Sequence, residues 1–132
     1  MISLDSCLVI YLVEEHPQWG ELVARSVDSE TEIDFAVSPL VKCECAVGPI
    51  RNGNAILPEE YSRVFDEFTV LDMPESVFLR AAELRAQFRI KLPDTLHLAC
   101  AEHHRCDELW TNDARLTRIS RGLARNILAP PG

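Results

Sequence analysis

Four carboxylates in this chain stand where apolar runs end or are interrupted. Asp5 follows Ile2-Ser3-Leu4, Glu44 lies within Leu40-Val41-Lys42-Cys43-Glu44-Cys45-Ala46-Val47, Asp94 follows Leu92-Pro93, and Asp113 follows Leu109-Trp110-Thr111-Asn112. Carboxylates brought together repel, at about 4 kcal/mol for unit charges roughly 4 Å apart at an effective dielectric near 20. A convergent set therefore calls for a cation, and oxygen ligands of high charge suit the hard ions Mg²⁺ or Mn²⁺. Such an ion activates a water and stabilises charge developing on a phosphodiester, and a second ion roughly 3.5 to 4 Å away can clamp the leaving oxygen. The chemistry that fits is metal-dependent phosphodiester hydrolysis.

The elements around these acids decide whether they can meet. Met1-Ile2-Ser3-Leu4 reads as a short buried strand that stops at Asp5-Ser6 before a helix over residues 7–13. Asp5 has an ordinary alternative role there as a helix cap. Pro17 opens a second helix through Trp19, Leu22, Val23 and Ser26, and residues 33–37 form the next strand. Ser38-Pro39 then starts a helix whose Leu40, Cys43, Glu44 and Val47 share one face. Glu44 is thus expected on a core-facing stripe, where a carboxylate is rare unless paired or metal-bound; a salt bridge at the rim is its plainer role. Gly48-Pro49-Ile50-Arg51-Asn52-Gly53-Asn54 is rich in breakers and is expected to be a mobile loop.

Pro58 begins a helix through Tyr61, Val64, Phe65 and Phe68, Thr69-Val70-Leu71 is a short strand, and Pro74 begins a further helix. In that helix Val77, Phe78, Ala81, Ala82 and Leu84 keep helical spacing as core, and Arg80, Arg85 and Arg89 lie on the polar face. Leu92-Pro93-Asp94 starts a helix that packs Leu96, Leu98, Ala99 and Ala101 inward. His97, one turn after Asp94 on roughly the same side, either attends the acids or is a structural histidine. Residues 108–111 form a strand ending near Asp113, Ala114 to Arg118 start a helix, residues 126–128 form a final edge strand, and Ala129-Pro130-Pro131-Gly132 is an exposed tail. Strands alternating with helices imply a parallel sheet covered on both faces, with all strand C-termini at one edge. Ligands of open α/β sheets bind at that edge.

At 132 residues the chain is expected to form a single domain over residues 1–132, burying roughly two-thirds of its unfolded surface. Its five cysteines form no Cys-x-x-Cys pair, and Cys100, His103, His104 and Cys106 are crowded into too short a stretch for a structural zinc site. The cysteine usage suits a reducing compartment, and no signal peptide or membrane span is evident, so a cytoplasmic protein without membrane contact is expected. The net charge of −8 argues against a nucleic-acid partner, but the average hides an asymmetry. Residues 1–79 hold 4 Lys/Arg and 15 Asp/Glu, whereas residues 80–132 hold 9 and 6. Arg80, Arg85, Arg89, Lys91, Arg115, Arg118, Arg121 and Arg125 thus gather in the part that holds Asp94 and Asp113, either tracking phosphates or merely solvating that face.

Taken in order, Leu4-Asp5-Ser6, Ser38-Pro39 leading to Glu44, Leu92-Pro93-Asp94 followed by Leu98-Ala99-Cys100-Ala101, and Leu109-Trp110-Thr111-Asn112-Asp113 resemble the PIN-domain nucleases. Within them the chain looks like the VapC-type toxins of type II toxin-antitoxin systems. The resemblance spans essentially the whole chain. It implies a three-layer α/β/α sandwich around a five-stranded parallel sheet and an endoribonuclease dependent on Mg²⁺ or Mn²⁺. By position, Asp5, Glu44, Asp94 and Asp113 match the family's acidic, metal-holding quartet. Ser6 and Thr111 match hydroxyl positions that support the metal or its waters, with Asn112 a further supporting candidate. Some relatives carry one more acid nearby, and His97 or Asn112 stands in that neighbourhood here. An RNA substrate, a cognate antitoxin that can place a basic side chain in the acidic site, and a homodimer are also implied. The alternative is an inactive PIN-like domain that binds RNA or protein through the same edge. A phosphate-receiver domain does not fit, because Asp5 is followed by Ser6 and Cys7 rather than by a second acid.

Overall fold

Three apolar-to-small residues at the start of the chain, all buried, form β1 (Ile2–Leu4) at the centre of a five-stranded sheet. The computed structural model describes residues 1–128. The chain continues through α1 (Ser6–Val13), α2 (Gly20–Ser29), β2 (Phe35–Val37), α3 (Pro39–Asn52), α4 (Leu57–Phe65) and β3 (Thr69–Val70). It then forms α5 (Glu75–Phe88), α6 (Leu92–His103), β4 (Glu108–Trp110), α7 (Ala114–Ile119) and β5 (Ala124–Arg125). All pairings are parallel and the strand order is β3-β2-β1-β4-β5. The chain is an α/β protein of three layers, as its alternating elements and its resemblance imply.

Period-two alternation along the strands divides the core in two. Ile2, Leu4, Phe35, Val37 and Trp110 face α1 to α4, where they meet Leu8, Val9, Val23, Val41 and Tyr61. Ala36, Leu109 and Ala124 face the other way, onto Val77, Ala81, Leu84, Leu98 and Leu116 of α5 to α7. The small Ala36 and Ala124 let that second layer of helices come close. Among the described residues no helix is long and apolar enough to cross a membrane.

Several boundaries differ from expectation for local reasons. The second helix begins at Gly20 rather than Pro17, because His16 Nδ1 accepts from the N–H groups of Gln18 and Trp19 and holds residues 17–19 in a turn. The expected loop at Gly48 to Asn54 is mostly helix, since α3 runs to Asn52 and ends at Gly53 in a left-handed cap with φ 63°. Proline crowds the Cβ of the residue before it, and Gly48 has none, so Pro49 is accepted within the helix and its ring is buried. The buried positions of α3 are Val41, Cys45 and Pro49, not the stripe of Leu40, Cys43, Glu44 and Val47: Cys43 and Val47 are exposed and Glu44 stands beside the core face. In α5 the core positions are Val77, Ala81 and Leu84, while Phe78 and Ala82 are exposed. The last strand is Ala124–Arg125 rather than residues 126–128, where the Asn126 side chain accepts from Leu128 N–H and turns the chain out of the ladder. The tail expected at Ala129-Pro130-Pro131-Gly132 lies outside the described residues.

Candidate functional site

After β1 the chain moves toward β2, and after β4 it moves to β5 on the opposite side, so the topology switches direction between the two adjacent strands. Their register pairs Leu4 with Trp110, and the Asp5 N–H donates to the Trp110 carbonyl at 3.0 Å. This carries the ladder one step past the strands and sets Asp5 beside Thr111. Thr111, with no exposed surface, donates its hydroxyl to Asp5 Oδ2 at 2.7 Å and accepts from Asp113 N–H at 3.1 Å. One buried hydroxyl thus fixes both strand-end aspartates. Asp5 also caps α1, Oδ1 accepting from Ser6 N–H at 2.7 Å with the Ser6 hydroxyl at 3.4 Å. Capping and site geometry are compatible, because a carboxylate has lone pairs for both.

Helices α3 and α6 bring in the next two groups. Glu44, half-buried, projects from α3 to His97 on α6, with 2.5 Å between Oε1 and Nε2. The same Nε2 lies 3.5 Å from Asp5 Oδ1. Ligand atoms of Asp5, Glu44 and His97 all fall within 4.8 Å of one another, and among the described residues this is the one such cluster of metal-type donors. Two carboxylates and one imidazole fit a divalent ion by donor chemistry. Burial alone would raise Glu44, but the hydrogen bond and charge of His97, with the Ser6 hydroxyl, hold its carboxyl below the usual glutamate range. Burial likewise opposes charge on His97, yet the Glu44 hydrogen bond and the charges of Asp5, Glu44 and Asp94 keep the imidazole above its ordinary value.

Asp94 and Asp113 are joined by Arg115. Asp113 caps α7 by accepting from Arg115 N–H at 2.8 Å, and the guanidinium returns to it at 3.2 Å while lying 3.7 Å from Asp94 Oδ2. Burial would raise Asp113, but the Arg115 hydrogen bonds and charge hold it below the usual aspartate range. Asp94 is pushed the other way, first by burial and then by the charges of Asp113 and Asp5, which His97 and Arg115 only partly offset. Asp94 and Asp113 stand outside the cluster of Asp5, Glu44 and His97, and the contacts that tie them to each other run through Arg115. Asn112 turns away: its amide donates to the Tyr11 hydroxyl at 3.0 Å.

The basic run is less focused on this edge than its position in the sequence suggests. Arg80 is occupied by Glu102 and Glu83, Arg85 by the Ile90 carbonyl, and Arg125 by Glu108, whereas Arg115 reaches the acids. Arg115 was not distinguished from its neighbours by sequence, although its position two residues after a helix-capping aspartate is the signal that separates it. Replacing Arg115 with Ala is expected to tighten Mn²⁺ binding severalfold in low salt, by removing a competing cation, and the gain should shrink at high ionic strength. Calorimetric titration at two salt concentrations checks this, and weaker binding would show that Arg115 does not compete.

Other nucleophile or metal chemistry finds little support. All five cysteines are unpaired, and burial pushes the thiols of Cys7 and Cys45 up to about 12 and that of Cys100 to about 11. Thiols so raised are poor nucleophiles and poor ligands. His104 bonds the Asp72 carbonyl at 2.8 Å, and Cys100, His103, His104 and Cys106 do not gather.

Comparison with protein-family profiles matches residues 2–122 to the PIN domain. Among solved structures, the fold is similar to that in FitAB bound to the IR36 DNA fragment, with a TM-score of 0.81, 20% identity, and 100% of this chain and 99% of that one covered. It is also similar to VapBC2 from Rickettsia felis bound to a DNA fragment from their promoter, with a TM-score of 0.79, 19% identity and 96% and 98% of the two chains covered. A toxin-antitoxin complex from Klebsiella pneumoniae gives a TM-score of 0.78 at 20% identity, again covering 96% and 98%. At these identities the likeness is one of fold. Comparison with curated proteins gives no match in sequence.

Proposed function

Since the chain belongs to the PIN domain family, we propose that it is a metal-dependent endoribonuclease, the toxin of a type II toxin-antitoxin pair, acting in the cytoplasm as a single domain over residues 1–132. The observation that carries this reading is the meeting of Asp5, Glu44 and His97 past the end of β1, where the sheet changes direction, with Asp113 tied to Asp5 through Thr111 and to Asp94 through Arg115. Similarity to structures of toxin-antitoxin assemblies supports the toxin role and an antitoxin partner; the homodimer rests on the family resemblance alone.

In this reading Asp5, Glu44, Asp94 and Asp113 hold Mg²⁺ or Mn²⁺. The bound ion supplies a water activated for attack on the RNA phosphodiester and offsets the charge that develops there. Thr111 and Ser6 keep Asp5 in one orientation, so that the site is arranged before the substrate arrives. Glu44, held ionised by His97, contributes charge. Arg115, displaced from Asp94 and Asp113, turns to a substrate phosphate, which its planar donors match. A basic side chain from an antitoxin would meet the same carboxylates and block them.

Cleavage of a labelled single-stranded RNA tests the reading. The expected result is cleavage with Mn²⁺ or Mg²⁺, none in excess chelator, and none by the folded Asp5→Asn variant. Full activity in Asp5→Asn, or activity indifferent to chelator, would overturn it.

A further inference from the structure

We propose that His97 is a nitrogen ligand of the divalent ion, bound together with Asp5 and Glu44, and that it biases the site toward first-row transition ions such as Mn²⁺ over Mg²⁺. The inference rests on the proposed metal-dependent reading of this edge but goes beyond an all-carboxylate site.

His97 sits on the inward side of α6 among Leu98, Ala99, Cys100 and Ala101, a setting in which an aliphatic side chain would satisfy packing. His97 is 4% exposed, and a buried imidazole must find partners for its polar atoms. His16 accepts from two backbone N–H groups, and His104 bonds the Asp72 carbonyl at 2.8 Å and, at 3.2 Å, the exposed carboxylate of that same residue. His97 instead directs Nε2 at two carboxylates from different elements, Glu44 at 2.5 Å and Asp5 at 3.5 Å. Asp5 already accepts from Ser6 N–H on Oδ1 and from Thr111 on Oδ2, so it is rigidly presented to whatever occupies the gap. Three donors within 4.8 Å of one another, two oxygens and one nitrogen, form a set that one ion can bridge. Coordination takes the ring with Nε2 unprotonated, so a proton carried there leaves to solvent as the ion enters. A mixed nitrogen and oxygen set suits transition ions, whereas Mg²⁺ strongly prefers oxygen.

The test is pulsed EPR on the wild-type protein loaded with Mn²⁺ alone, with and without ¹⁵N-histidine labelling, together with Mn²⁺ and Mg²⁺ titrations of wild type and His97→Asn. The expected result is a nitrogen modulation on the Mn²⁺ signal that changes with the label, and an Mn²⁺ preference over Mg²⁺ that falls roughly tenfold or more in His97→Asn. Mn²⁺ bound without nitrogen coupling would overturn the proposal and leave His97 as a residue that orients Glu44, with the nuclease reading intact. No Mn²⁺ binding by the wild type would overturn both. The labelled wild-type measurement decides the matter even if His97→Asn fails to fold.

Discussion

Asp94→Asn is expected to abolish metal-stimulated RNA cleavage, by at least about a thousandfold or ~4 kcal/mol of transition-state stabilisation, while raising the melting temperature of the metal-free protein. The two effects have one cause. Asp94 is half-buried among like charges, and burial, Asp113 and Asp5 together raise its carboxyl above the ordinary value of 3.8. A carboxyl raised in the folded state ionises first in the unfolded chain, so its ionisation opposes folding. The penalty is absent below the unfolded value, grows as pH rises through it, and is complete above the folded value. Asparagine removes the charge with little change of shape. At neutral pH in chelator the Tm of the variant should therefore lie above that of the wild type. The gain should vanish in acid below the ordinary aspartate value. Added Mn²⁺ should stabilise the wild type more than the variant and close the gap. Differential scanning calorimetry in chelator and in Mn²⁺ measures each arm, and a variant less stable than wild type at neutral pH would refute the crowding of charge.

Thr111→Val should also damage activity, though less than Asp94→Asn does, and unlike that variant it should weaken the fold. Valine keeps the shape but removes the hydroxyl that donates to Asp5 Oδ2 at 2.7 Å and accepts from Asp113 N–H at 3.1 Å. An unsatisfied buried group costs about 1 to 3 kcal/mol, more when charged. A loss of about 3 kcal/mol in chemical denaturation is therefore expected, with a fall in cleavage rate of roughly a hundredfold as Asp5 loses its orientation. Thr111→Ser retains the hydroxyl and should lose only about 1 kcal/mol for the missing methyl group, with activity within a few-fold of wild type. Equal behaviour of the two variants would show that the hydroxyl does not hold the aspartates.

The positions of Asp5 and Asp113 were readable because each ends a short apolar strand, and parallel topology brings such ends to one edge. Ser38-Pro39 marked the start of α3 for an equally local reason: the Ser38 side chain accepts from Val41 N–H at 3.3 Å. The far end of α3 was not readable. Gly48 and Pro49 are breakers by propensity, and only together, with Pro49 buried, do they continue a helix. That extension, with the core face at Val41 and Cys45, set Glu44 at the rim rather than in the core. His97 carried too little signal by itself, since one histidine on an apolar helix face has no marker for what it meets across space. Its partners lie 53 and 92 positions away in the chain. Arg115 was hidden for the opposite reason, as one of many arginines in a basic stretch in which Arg80, Arg85 and Arg125 have partners elsewhere.

The most direct test of the candidate site is anomalous diffraction from crystals soaked in Mn²⁺. The expected result is an anomalous peak bonded to Asp5 and Glu44 at the strand C-termini, with the Arg115 guanidinium withdrawn from Asp94 and Asp113. Carboxylates that show no peak at saturating Mn²⁺, with Arg115 still bridging them, would contradict a metal-dependent nuclease.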